Sequence, residues 1–452
     1  MTTNENNQKQ PEPKQQEPTK PDIVWVFSQE IEARINEAVK KIQEASSQVE
    51  ALSTHLDNII VGESSKKKII VVLLSGSKCK KNAKKDPKSQ QIIVIKGTPG
   101  GGKTALARPS ELFKTKRVGR FTEHALDYSD LEPYDILYIQ EIADSEEERD
   151  SINRLKFLSS EDGGYTVEFP IKKEGGGFTT IQRTIPPMTM LSTTKNLYLE
   201  GQFDRRAWSI NVDESREQTD RVIGWKAKLK MQENEVKLGK RQITDYDFSK
   251  EVLKRFFKEF QAINVINLMP LTTGKILGNA KLRIRGDVDK MWSFIELYAM
   301  FNVKRLTKIE DSDCYAISPE VAMDALRLII EPMATMISGV DKRTNELFNT
   351  LKALGLHKAG SEITKKQRDD VAVALRKSHN TVKSLLNNLC SSGFASQDGK
   401  KPCTFTLLYD VETIEEKLNE ISLKPESYDD LVSEMRKEAL ESVNSLSLKR
   451  AS

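Results

Sequence analysis

The chain has 452 residues, with 70 basic and 66 acidic side chains and a formal net charge of +4. That length supports two or three domains with sizeable cores, and the near balance of charge excludes a polycation that grips nucleic acid along its whole length, leaving that role to local patches. Cys79, Cys314, Cys390 and Cys403 show no C-x-x-C spacing, and no apolar run reaches membrane-spanning length. These features argue against a zinc module, a disulfide framework and a membrane span, and the polar N-terminus lacks a signal-peptide core, so a soluble, intracellular protein is expected.

Residues 1–22 are almost devoid of apolar side chains and are expected to form a disordered tail, because they bury too little to offset ordering entropy. Ile31, Ile35, Val39 and Ile42 recur at helical spacing and predict one helix over about 29–52. A second helix is expected from Lys66 to Leu74. Residues 77–90 carry six lysines and a proline and read as an exposed, solubilising loop.

The apolar run Ile92-Ile93-Val94-Ile95 reads as a buried strand and leads into Gly97-Thr98-Pro99-Gly100-Gly101-Gly102-Lys103-Thr104, a complete G-x-x-x-x-G-K-[ST] phosphate-binding loop. Its glycines let backbone N–H groups turn inward around phosphate oxygens. Lys103 is placed to neutralise the β- and γ-phosphates of ATP and the Thr104 hydroxyl to hold Mg²⁺. Pro109 is expected to cut the following helix short.

From 92 to about 215, apolar strands alternate with loops and short helices, the pattern of an α/β core with a parallel sheet. Ile136-Leu137-Tyr138-Ile139 ends in Gln140-Glu141. A second strand of this kind delivers acidic groups to Mg²⁺ and to the attacking water. Glu141 is the candidate for polarising water, and Gln140 could hold a metal-bound water but brings no charge. Residues 165–173 and 178–183 alternate on either side of Glu174-Gly175-Gly176-Gly177 and predict a hairpin with Lys172 and Lys173 near its tip. Met188 to Leu191 read as another strand, after which Asn196 is the first choice, and Thr194 the second, for orienting the lytic water. Arg205 and Arg206 precede the strand beginning at Ala207, and an arginine there suits a neighbour's γ-phosphate.

Residues 215–335 read as mainly helical, and 341–408 as three short helices with a two-stranded wing. Thr364 is the N-cap of the second of these helices. The third presents Lys377, His379, Asn380, Thr381 and Lys383, and the wing Lys400 and Lys401, toward phosphates and groove edges.

This order of motifs resembles the AAA+ ATPases, specifically the MCM-like branch of hexameric DNA helicases, over about residues 55–410. The resemblance implies an α/β fold: an AAA+ P-loop ATPase core with a parallel sheet, a helical lid and a C-terminal winged helix-turn-helix. The implied organisation is a tail (1–22), an N-terminal helix (23–54), the core with a pre-sensor hairpin (55–225), a lid (226–338), the winged helix (339–410) and a charged helical tail (411–452). Ile60, Val61 and Gly62 are implied at the adenine site, Lys103 and Thr104 at phosphate and Mg²⁺, Glu141 as catalytic acid, Asn196 as sensor 1, Arg206 as arginine finger and Arg285 as sensor 2.

The activity implied is ATP-driven DNA unwinding or translocation in replication. The ring is expected to be a homo-oligomer, in all expectation a hexamer, with one DNA strand in its channel and duplex at the winged helix. Two departures are evident: Gln140 replaces an acidic residue, and the zinc-bearing N-terminal collar of MCM proteins is missing. Two further readings share these motifs, an initiator or helicase loader and a DNA-binding regulator with a weakly active ATPase core.

Overall fold

The computed structural model describes residues 28–79, 91–119, 129–142, 155, 165–172, 177–185, 188–195, 203, 206–277, 284–338, 342–391, 393–400, 402–419 and 428–450. The tail at 1–22 and most of the lysine-rich loop lie outside them.

Seven strands occupy the first half: Ile92–Lys96 (β1), Thr115–Val118 (β2), Ile136–Ile139 (β3), Tyr165–Lys172 (β4), Phe178–Ile185 (β5), Thr189–Thr194 (β6) and Ala207–Asn211 (β7). Five make a parallel sheet in the order β2-β3-β6-β1-β7. The expected α/β class and parallel sheet are therefore present. β1, β3 and β6 are buried throughout, because a sheet covered on both faces needs apolar residues at every position.

Alternation then sorts side chains to opposite faces. Ile93, Ile95, Tyr138, Trp208 and Ile210 join the larger core, while Ile92, Val94, Leu137, Ile139 and Met190 join a second cluster with Ile185 and Met188. The hairpin β4–β5 is antiparallel from Tyr165↔Ile185 to Lys172↔Phe178. Ile185 and Met188 thus root the hairpin in the second face of the sheet.

Helices build the larger core. The predicted helix over 29–52 is two helices, Gln29–Glu44 (α1) and Gln48–Ile59 (α2). The break falls at Ala45-Ser46-Ser47, where serines favour cap over helix-interior geometry. Ser64–Ser75 (α3) follows, buried almost all round. Lys103–Leu106 (α4) is only one turn, and Arg108–Leu112 continues as a 3₁₀ turn with Pro109 in its first positions, as Pro109 predicts.

Arg216–Lys237 (α5), Asp245–Glu259 (α6), Pro270–Lys275 (α7), Ile284–Met300 (α8) and Pro319–Ser338 (α9) fill the region expected to be helical. The domain boundary expected at 225 falls inside α5, and Ser215, which caps that helix, is the natural joint. The same region also holds Asn264–Ile266 (β8), Thr307–Lys308 (β9) and Cys314–Ala316 (β10), paired β8-β10-β9. Strands this short leave no periodicity to read.

Residues 342–407 form a module with its own core of Leu347, Phe348, Val371, Val382, Leu386 and Phe405. Its order is Lys342–Ala353 (α10), Glu362–Ile363 (β11), Lys365–Leu375 (α11), His379–Ser391 (α12), Ala395–Gln397 (β12) and Phe405–Leu407 (β13). The sheet β11-β13-β12 is antiparallel, so a third strand joins the two expected. Thr364 caps α11, with Gln367 Oε1 accepting its N–H at 2.8 Å.

Val411–Asn419 (α13) leads to Tyr428–Arg450 (α14). Over its described side chains α14 is docked on the main body. Met435 is fully buried, Arg436 pairs with Glu320 at 2.6 Å, and Glu438 accepts the N–H groups of Leu271 and Thr272 that start α7. Tyr428, Leu431, Val432, Met435 and Ala439 supply the apolar stripe.

Candidate nucleotide site

Parallel pairing puts the C-terminal ends of β1, β6 and β3 side by side, and the phosphate loop, Thr194 and Gln140-Glu141 leave from that edge. Backbone bonds stitch the edge together: Gly97 N donates to Thr194 O at 3.2 Å, and Ile142 N to Thr193 O at 3.0 Å. Thr194, the second choice for orienting water, is fully buried and its hydroxyl donates to Ile142 O at 2.8 Å. It clasps the two strand ends and does not face the loop's ligand side. Thr193 donates to Gln140 O. Asn196 lies outside the described residues.

In the loop, Gly100 and Gly102 have φ of 82° and 95°, the left-handed geometry that turns successive N–H groups toward one side. Lys103 Nζ donates to Gly97 O and Thr98 O, each at 2.8 Å. Burial lowers the Lys103 ammonium below its ordinary range, while the Glu141 and Glu214 carboxylates pull it back up and Lys195 lowers it further. Lys103, Glu141 and Glu214 therefore share one electrostatic neighbourhood. Gln140, Glu141 and Thr104 are exposed. A Mg²⁺ ion keeps several waters and needs few protein oxygens, so the Thr104 hydroxyl with Glu141 and Gln140 acting through water is a compatible donor set.

Sequence reasoning missed Glu214. Its Oε1 accepts the Thr98 N–H at 2.5 Å, and a Cβ on Gly101 or Gly97 would come within 3.0 or 3.1 Å of that oxygen. The signal was available only as an acidic residue shortly after a strand end.

Lys67 was missed too. Fully buried, it donates to Ile60 O at 3.0 Å, Gly62 O at 2.8 Å and Asp57. It anchors the Ile60–Val61–Gly62 turn, whose Gly62 has φ of 64°. Gln218, in the first turn of α5, donates to Val61 O at 2.7 Å. Arg108 completes the frame. It donates to Ile59 O at 2.9 Å, and its guanidinium lies over Trp225 of α5 and Tyr246 of α6.

Arg206 stands at the other end of the sheet. It is exposed and precedes Ala207, which pairs with Ile92 at the start of β1. Five strand residues separate Ile92 from Gly97, roughly 17 Å along the strand, so Arg206 is remote from its own chain's loop. Lys290 of α8 pairs with buried Asp287 at 2.6 Å and donates to Ala207 O at 3.4 Å. The start of α8, which carries Arg285, is thereby brought to the Arg206 end. Of Arg285 and Lys172 only the backbone is described, and Lys173 lies outside the described residues.

In the C-terminal module, Asn380, Lys383 and Lys400 line one groove of about 1290 Å³ together with Lys365, Arg368 and His379. Lys377 lines a different cavity of about 460 Å³, with Glu63, Glu214, Ser215 and Pro332. Thr381 is half-buried and bonded to Ser378 at the start of α12. Lys401 lies outside the described residues.

No known protein-family model matches this sequence, and no curated protein matches it. Among the described residues no helix is long and apolar enough to cross a membrane.

Proposed function

We propose that this chain is an ATP hydrolase of AAA+ type, resembling the MCM-like helicases, that works as an oligomeric ring on DNA. One observation carries the reading. The phosphate loop and Glu141 leave the same edge of a parallel sheet, separated only by β6. That juxtaposition suits a triphosphate held by loop N–H groups and Lys103, with Glu141 polarising a water for in-line attack. Bound Mg²⁺, held by Thr104 and by Gln140 and Glu141 through water, would neutralise charge developing on the phosphates.

The remoteness of Arg206 from its own loop supports its supply to a neighbouring copy, and Arg285 travels with it. The hairpin β4–β5, rooted in the sheet and carrying Lys172 and Lys173 toward its tip, suits contact with a DNA strand in a channel. The module at 342–407, three helices with a three-stranded antiparallel sheet, has the element order of a winged helix, and its groove suits duplex phosphates.

The uncharged Gln140 favours a second reading, a DNA-binding regulator in which the ATPase core turns over weakly. Steady-state ATP hydrolysis with Mg²⁺ tests both. The proposal expects turnover that Lys103→Ala abolishes. Turnover retained in that variant would overturn the assignment of the loop, and none in the natural chain would favour the regulator. Unwinding of forked DNA that is lost when Lys172 and Lys173 are both changed to Ala, with basal hydrolysis retained, separates a motor from a loader.

A further inference from the structure

The turn expected to meet the base has its backbone carbonyls occupied. Lys67 donates to Ile60 O and Gly62 O, and Gln218 Nε2 donates to Val61 O. The bond to Val61 O identifies the nitrogen end of the Gln218 amide, because a carbonyl accepts only from the NH₂ group. Gln218 Oε1 must then face the other way. The residue is 6% exposed, and this oxygen is buried without a hydrogen-bond partner. It lies where a Cβ on residue 62 would come within 2.1 Å, so glycine at 62 is what leaves it room. The adjoining buried oxygen, Glu63 Oε2, already faces Lys66 at 2.7 Å.

We propose that Gln218 selects the base of the bound nucleotide, its Oε1 accepting from an exocyclic amino group and disfavouring a carbonyl at that position. The inference rests on the ATP-site reading above and adds a specificity determinant to it. Adenine presents an amino donor where guanine presents an oxygen. A buried acceptor left unpaired disfavours the bound state, so a base that satisfies it is retained and one that opposes it with lone pairs is rejected. Access is from the cavity of about 460 Å³ beside it, whose lining includes Glu63, Asp213, Glu214 and Ser215. Those residues adjoin Gly62 and the cap of α5. Lys67 keeps the neighbouring carbonyls turned away from the base, which leaves the choice to the side chain.

Calorimetric titration of the full chain with ADP, GDP and inorganic pyrophosphate tests this. The natural chain is expected to bind ADP at least about tenfold tighter than GDP. Gln218→Met should level the two to within about twofold while leaving pyrophosphate affinity unchanged, which also reports that the phosphate loop is folded. Should the Met variant lose pyrophosphate binding, Gln218→Asn, which withdraws the acceptor by one methylene, takes its place and is expected to level the two nucleotides likewise. A preference for ADP that survives in the folded variant, or equal binding of ADP and GDP by the natural chain, would overturn the role of Gln218 and leave the ATP site standing. Failure of the natural chain to bind any of the three ligands would overturn the ATP-site reading itself.

Discussion

Glu214 Oε1 accepts the backbone N–H of Thr98 at 2.5 Å, fastening the residue after β7 to the second residue of the phosphate loop. Backbone pairing between β1 and β7 carries the contact as far as Val212 N to Lys96 O at 2.9 Å. Beyond that point a side chain takes over the ladder. The same carboxylate lies within electrostatic range of Lys103, so it both shapes the loop and lends it negative charge.

Those two roles separate by substitution. Glu214→Gln keeps an acceptor for Thr98 and removes the charge that opposes an incoming polyphosphate. Nucleotide affinity is expected to rise by about 1 kcal/mol, or about fivefold, at low salt and by less at high salt. Glu214→Ala removes the clamp as well and should forfeit that gain. Titration of a fluorescent nucleotide at two ionic strengths reads both, and weaker binding by the Gln variant would show that the charge itself holds the loop.

The Lys67 ammonium is a structural necessity of the same region. Lys67→Met matches its length but leaves two inward-facing carbonyls, Ile60 O and Gly62 O, without this donor. An expected loss of about 2–4 kcal/mol follows from unmade buried hydrogen bonds. A lower urea midpoint with an unchanged slope would register it, whereas an unaltered midpoint would mean that the turn holds without the lysine.

What could be read from the sequence was local. The strands β1, β3 and β6, the phosphate loop, the hairpin and the Thr364 cap each announce themselves within a few neighbouring residues. Glu214, Gln218 and Lys67 do not. Glu214 meets Thr98 from 116 residues away and Gln218 meets Val61 from 157 away, and no period or spacing connects such pairs. Lys67 sits in a lysine triplet, Lys66-Lys67-Lys68, that reads as solvated until the fold buries its middle member. The remoteness of Arg206 from its own loop likewise depends on the register Ile92↔Ala207, which the sequence does not disclose.

Stability should also depend on pH through His55. Its Nδ1 lies 3.2 Å from the hydroxyl of buried Ser249, and its ring is tilted against Phe248. Burial lowers its pKa below the ordinary 6.5. Between the lowered value and 6.5 the unfolded chain binds a proton that the folded chain refuses, so this contribution is present above pH 6.5 and is lost as pH falls toward the lowered value. Urea unfolding at a series of pH values from neutral to mildly acidic should show the decline, and His55→Gln should flatten that part of it. An identical slope in the variant would assign the acid sensitivity to other groups.

The C-terminal groove supplies a salt-dependent test of DNA contact. Lys383 and Lys400 are exposed on its two sides, α12 and the β12–β13 turn, and Asp398 fixes that turn by accepting the N–H groups of Lys400 at 3.1 Å and Thr404 at 2.9 Å. Each lysine that neutralises a phosphate releases counterions, so Lys383→Ala or Lys400→Ala should weaken duplex binding and reduce the slope of log affinity against log salt by about 0.9. Lys358 belongs to the same module but is paired with Asp410 and Glu412 away from the groove. Lys358→Ala should leave the slope alone, and a uniform fall across all three variants would show that the module's overall charge, and not its groove, attracts DNA.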